Sequence, residues 1–112
     1  MMRKEWLLVC VALAAVAESR AQSFIVPAEL WDRPRSASAI MEPIAVRQAV
    51  NTWLSRPGAR IVVHHGTNPE SLVQAEEIRA WLISLAIEAG HVTLRNDLAA
   101  SDPLQIEVTR EP

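Results

Sequence analysis

The chain has 112 residues, eleven basic against thirteen acidic side chains, a net charge of −2, and a single cysteine. So mild an acidity, with no run of lysine or arginine, argues against nucleic acid or anionic lipid as a general partner, and one cysteine cannot form an internal disulfide.

The first residues read "MMRKEWLLVCVALAAVAESRAQ". Arg3 and Lys4 make a basic start, Trp6 to Ala17 an apolar stretch, and small residues follow at Ala15-Val16-Ala17 and Ser19-Arg20-Ala21. This is the pattern of a secretory signal peptide over residues 1–21, cleaved after Ala17 or Ala21. The apolar stretch falls short of the roughly 18 to 20 residues that span a bilayer, so no permanent membrane span is expected. Cys10 follows Val9 and is itself followed by apolar residues, which is not the setting of a lipidated cysteine. Cleavage leaves 95 or 91 residues, one small domain without cysteine or lysine, carrying eight arginines against eleven acids from Gln22 onward. With no disulfide or cysteine-rich metal staple to support its limited core, such a domain is suited to association with a partner.

Residues 22–40 form an N-terminal arm. "SFIVPAELWDRPRSAS" holds two prolines and a short apolar cluster, giving an edge strand and then a loop, with Phe24, Val26, Leu30 and Trp31 turned inward. In residues 41–112 the remaining elements follow. Pro43 suits a first helical turn, Val46, Val50, Trp53 and Leu54 have helical spacing, and Pro57-Gly58 closes that helix. "ARIVVHH" is β-branched between Gly58 and Gly66 and reads as a buried strand. Asn68-Pro69-Glu70 then supplies an N-cap, a proline at the first helical position and an acid facing the helix dipole. The helix it opens has Leu72, Ala75, Ile78, Leu82 and Leu85 as its apolar stripe, with Glu76, Glu77 and Arg79 on the solvated side, and Gly90 beyond it. "HVTLRND" and "LQIEVTR" both alternate, and the polar "DLAASDP" between them is long enough to turn a hairpin. The order β-α-β-α-β-β predicts an α+β fold, one mixed sheet packed against two helices.

His64, His65 and His91 are the candidate metal ligands. Neighbours on a strand point to opposite faces, so His64 and His65 do not share an ion without a bulge, and ligand spacing is absent; the expected arrangement is one histidine at the core edge and one at the surface. Ser71, Ser84 and Ser101 lie in no Gly-x-Ser-x-Gly elbow and face no readable acid and base pair. No catalytic residue, no metal and no cofactor is therefore assigned, and the chain reads as a non-enzyme. The loop "HGTNPE" is the better site. The amides opening the helix at Pro69 favour a carboxylate or other anion, and Thr67 and Asn68 add hydrogen-bonding groups.

The strand "ARIVVHHGTN" and the segment "QAEEIRAWLISLAIEAGHV" resemble the strand ending in Gly-His-Thr-Asp, and the helix with its following strand, of the C-terminal peptidoglycan-associating domain of outer membrane protein A and its relatives. The resemblance covers about Ile44 to Leu94. It implies an OmpA-like α+β domain of the periplasm, in which an Asp of the first loop and an Arg early in the second helix hold the diaminopimelate end of the peptidoglycan stem peptide. Those two positions fall on Asn68 and Gln74, both uncharged, and a glutamine does not replace an arginine as a two-pronged carboxylate donor.

The functional expectation is an exported, non-enzymatic binding domain of the cell envelope. It meets a protein partner through an exposed strand edge or the arm, with Trp31, Arg33 and Arg35 as the contact residues. The alternative is peptidoglycan stem-peptide binding at Thr67, Asn68 and Gln74, with Arg79 or Arg95 restoring the lost positive charge.

Overall fold

The strongest local signal is the β-branched run Ile61-Val62-Val63, and it occupies the middle of the molecule. In the computed structural model, which describes residues 21–85 and 87–110, this run lies in β2 (Arg60–Gly66). Ile61 and Val63 are fully buried. An apolar strand this deep needs hydrogen-bonding partners on both edges, because unpaired backbone groups in a core are costly. It finds them in β3 (Val92–Leu98), which runs parallel, and β4 (Gln105–Thr109), which runs antiparallel. The outer edge of β4 is taken by β1 (Ala21–Ile25), again antiparallel. The sheet is therefore mixed and four-stranded, in the order β1-β4-β2-β3.

Three α-helices lie among the described residues. Ser36 accepts a hydrogen bond from the Ala39 amide and so caps α1 (Ala37–Met41). Pro43, lacking an amide hydrogen, separates it from α2 (Ile44–Leu54), where it sits at the N-cap, one residue before the helix proper. α2 is the expected first helix, while α1 is an additional short helix that falls mostly in the arm, where a loop was expected. α3 (Pro69–Ser84) opens at Asn68, whose side chain accepts from the Ser71 amide, with Pro69 in the first turn. Short 3-10 turns at Ala28–Asp32 and Ala89–His91 complete the path.

The core is one contiguous cluster. From the sheet come Ile61, Val63, Val92, Ile106 and Val108; from the helices Ile40, Val46, Ala49, Ala75, Ile78 and Leu82; from the arm Val26 and Leu30. Phe24, Trp31, Trp53, Trp81, Leu85 and Leu94 pack against it, partly buried. The alternation in β3 and β4 and the inward set of the arm come out as expected. Two assigned positions do not. Leu72 is 40% exposed, and the buried residue of that turn is Ser71, so the stripe of α3 runs Ser71, Ala75, Ile78, Leu82. Leu54, the last residue of α2, is 65% exposed.

The larger correction concerns the end of the chain. β3 and β4 do not form a hairpin, because β2 lies between them. Alternation specifies which face of a strand is buried and is silent on which strand is its neighbour. Residues 99–104 must therefore cross the C-terminal end of β2, and Gly66 is where they pass. A Cβ at Gly66 would stand 2.7 Å from the Ala99 carbonyl oxygen and 3.2 Å from the Ala100 Cα. Both neighbours are backbone and have little freedom to withdraw.

The arm assigned to 22–40 contributes β1, the first 3-10 turn and most of α1. The leader assigned to 1–21 lies outside the described residues except for Ala21, which opens β1. Among the described residues no helix is long and apolar enough to cross a membrane.

Gly66→Ala is expected to cost about 1–3 kcal/mol in urea unfolding, as forced overpacking does. Gly90→Ala, where an added Cβ meets nothing within 4 Å, serves as the comparison and is expected to shift stability by no more than about 0.5 kcal/mol.

Candidate functional site

The loop after β2 is a knot of hydrogen bonds. Ser71 Oγ accepts from the Gly66 amide at 2.8 Å, and Asn68 Oδ1 accepts from the Ser71 amide at 2.6 Å. The other end of the Asn68 side chain donates to the Ala100 carbonyl at 2.6 Å. Asp102 Oδ2 accepts from the Ala99 amide at 3.1 Å, which closes the crossing segment on itself. Both ends of the Asn68 amide are committed, one to capping α3 and one to holding the crossing chain. Two amides of the first turn of α3 are engaged in the same way, and Pro69 has none to offer. That of Ser71 goes to Asn68, and that of Leu72 goes to the Asn68 carbonyl.

Beside this knot is a cleft of about 490 Å³, between the arm, the first turns of α3 and residues 100–104. Asn68 and Gln74 line it together with Trp31, which is distant from them in sequence. Its charged lining residues are Asp32, Glu70 and Asp102, with no arginine. Thr67 is exposed and does not line it. The two arginines expected to supply positive charge are elsewhere. Arg79 is two to three turns further along α3 and donates to the carbonyls of Val92 and Ala89, fastening the helix to the start of β3. Arg95 is on the helix-free face of the sheet, where it lines a separate groove with Arg60, Val62 and Glu107.

The arm is fastened down. Arg35 makes a forked pair with Glu77 of α3, Nε to Oε2 at 2.8 Å and one terminal nitrogen to Oε1 at 3.2 Å. It also donates to the carbonyls of Trp31 and Arg33 and lies 5.6 Å from the centre of the Trp31 ring. Trp81 Nε1 donates to the same Glu77 carboxylate. Arg33 pairs with Glu42 at 3.2 Å at the surface. Of the three contact residues expected in the arm, Arg35 is thus engaged within the chain, Trp31 packs against the core, and Arg33 lies at the exposed rim.

The histidines go to three different places. His65 faces the helices, buried, with Nδ1 at 2.9 Å from the Gly66 carbonyl oxygen. His91 packs against Trp53, ring centres 6.1 Å apart, at the opposite end of β3. His64 lies on the helix-free face between two carboxylates, Nδ1 at 2.8 Å from Asp97 and Nε2 at 2.9 Å from Glu107. It thereby ties β3 to β4 across β2. Sequence reasoning missed this bridge, since a β3–β4 hairpin leaves His64 with no place between the two acids. The three histidines do not converge, and among the described residues no group of three His, Cys, Asp or Glu side chains is arranged to hold a metal ion.

No protein-family model, no curated protein and no solved structure matches the chain.

The fork from Arg35 holds the Glu77 carboxyl below its ordinary value of 4.5, and the Trp81 donor acts in the same direction, against an opposing effect of burial. A carboxyl lowered in the folded state stabilises fully above its unfolded value, and the contribution is lost as the pH falls through the folded one. The difference in melting temperature between the wild type and Glu77→Gln is therefore expected to be largest near pH 7 and to shrink as the pH drops below about 4.5, followed by Trp fluorescence.

Proposed function

We propose that this chain is a small exported binding domain of the cell envelope, OmpA-like in outline, that works through protein-protein contact and carries out no catalysis. The export signal in its first residues supports the location. The resemblance is supported by where its residues fall: "ARIVVHHGTN" runs through β2 into the capped start of α3, and "QAEEIRAWLISLAIEAGHV" through α3 to the start of β3.

The observation that carries the contact reading is the outer edge of β1. Among the described residues it is a sheet edge with no neighbouring strand, and its sequence, Ala-Gln-Ser-Phe-Ile, holds no charge and no proline. Such an edge accepts a further strand through main-chain hydrogen bonds, with little demand on side chains. With Arg35 fastened to Glu77, the edge is a better candidate for the contact than Trp31, Arg33 and Arg35.

A second reading, binding of a peptidoglycan stem peptide, draws support from the cleft that Asn68 and Gln74 share. Its carboxylate has no cation waiting there, and Asp32, Glu70 and Asp102 oppose it.

Two measurements separate these readings. A photo-crosslinking residue placed at Gln22 in cells is expected to yield protein adducts, while one at the exposed Glu76 yields none. The purified protein is expected to stay in the supernatant when peptidoglycan sacculi are pelleted. Retention that Gln74→Ala abolishes would put the second reading first. Gln74 is the suitable control, because removing the Asn68 cap would cost about 1 kcal/mol of stability in its own right.

A further inference from the structure

The leader allows two cuts by its sequence, and the fold distinguishes them. Ala15 with Ala17, or Ser19 with Ala21, supplies the small residues that a signal peptidase reads at the third and first positions before the bond it hydrolyses. Ala21, however, is the first residue of β1. It stands opposite Thr109 of β4, whose other side is taken by Arg60 of β2. Thr109 is 8% exposed between these two neighbours, and loss of Ala21 uncovers one side of it.

The residues that follow the bond matter as well. For a cut after Ala21 they are Gln22, Ser23, Phe24 and Ile25, the whole remainder of β1. All four are paired in register with β4, and Val26 continues the ladder by donating to the Leu104 carbonyl at 2.9 Å. Phe24 packs against the core, and Gln22 Oε1 accepts from the Thr52 hydroxyl of α2 at 3.4 Å. A peptidase takes up its substrate as a single extended strand, so a cut after Ala21 needs β1 out of the sheet. Cleavage within a paired segment waits on the population of its opened form. Its product also begins one residue inside the strand, with a charged amino group on Gln22. Whether a truncation is tolerated depends on the pairing and burial of the backbone removed, and here that backbone is part of the sheet.

We propose that the chain is cut between Ala17 and Glu18, and that Ala21 remains in the mature domain as the first residue of β1. The catalyst is a membrane-bound signal peptidase and the co-reactant is water. The bond from the Ala17 carbonyl carbon to the Glu18 nitrogen breaks, the hydroxyl of water goes to that carbon and its proton to the nitrogen. Of the two cuts, this is the one that takes no described residue from the sheet, and its product begins Glu-Ser-Arg-Ala.

This inference rests on the reading of the chain as exported and specifies how it is processed. The full chain is produced in a bacterial host with an outer membrane, and the amino terminus of the recovered protein is read by intact mass and terminal sequencing. The expected first residue is Glu18. Ala21→Ile places a bulky residue directly before the alternative bond, which bars that cut, while a branched side chain at this exposed strand position suits β1. The variant is expected to be processed to the same extent as the wild type, again to Glu18. A wild-type product beginning at Gln22, or leader-bearing precursor accumulating in Ala21→Ile, would overturn the proposal and leave export standing. A wild type recovered with its leader intact removes both.

Discussion

An apolar strand buried at the centre of a small sheet must have both of its edges hydrogen-bonded, and in this protein that strand is β2. Val62 and Val63 cannot be left beside unpaired backbone groups, so β3 and β4 flank them and the chain that joins β3 to β4 has to pass over the end of β2. Most of what is distinctive in the molecule follows from that crossing. Gly66 is there because the Ala99 carbonyl leaves no room for a side chain. Asn68 is there because one amide group can cap α3 and grip Ala100 together. Ser71 is buried because its hydroxyl receives the Gly66 amide.

These commitments bear on function. A loop whose polar groups are already used in holding the fold has few to spare for a ligand. Asn68 and Gln74, the positions that the proposed stem-peptide reading relies on, share a cleft with three acids and no cation. The positive charges that remain are engaged or placed elsewhere: Arg35 fixes the arm, Arg79 fastens α3 to β3, and Arg95 stands on the other face of the sheet. Among the described residues, backbone is left without a strand partner along the outer edge of β1.

Much of the architecture was legible in the sequence because it is written locally. The N-cap, proline and acid at Asn68-Pro69-Glu70 mark the start of α3 without reference to anything distant, and the alternation of Val92 and Leu94, and of Leu104, Ile106 and Val108, names the buried faces. The strand order was not legible, since alternation is the same whether β4 pairs with β3 or with β2. Helical spacing also leaves a stripe free to turn by one residue, which is why Leu72 is at the surface and Ser71 beneath it. The site suffered most. The fork of Arg35 on Glu77 joins residues 42 apart in sequence, and the bridge of His64 to Asp97 and Glu107 exists only in the true strand order. The cleft that gathers Trp31, Asn68 and Gln74 likewise depends on the route of residues 99–104.

The placement of β2 between β3 and β4 is what every later step uses, and backbone nuclear Overhauser contacts in isotope-labelled protein test it directly. The account predicts cross-strand contacts between Val63 and Ile106 and between Ile61 and Val108, together with parallel-strand contacts between Val62 and Thr93, and none joining the backbones of β3 and β4. A ladder of antiparallel contacts running directly from Arg95 and Thr93 to β4, with none from Val63 to Ile106, would contradict it and would remove the crossing, the role of Gly66 and the cleft together.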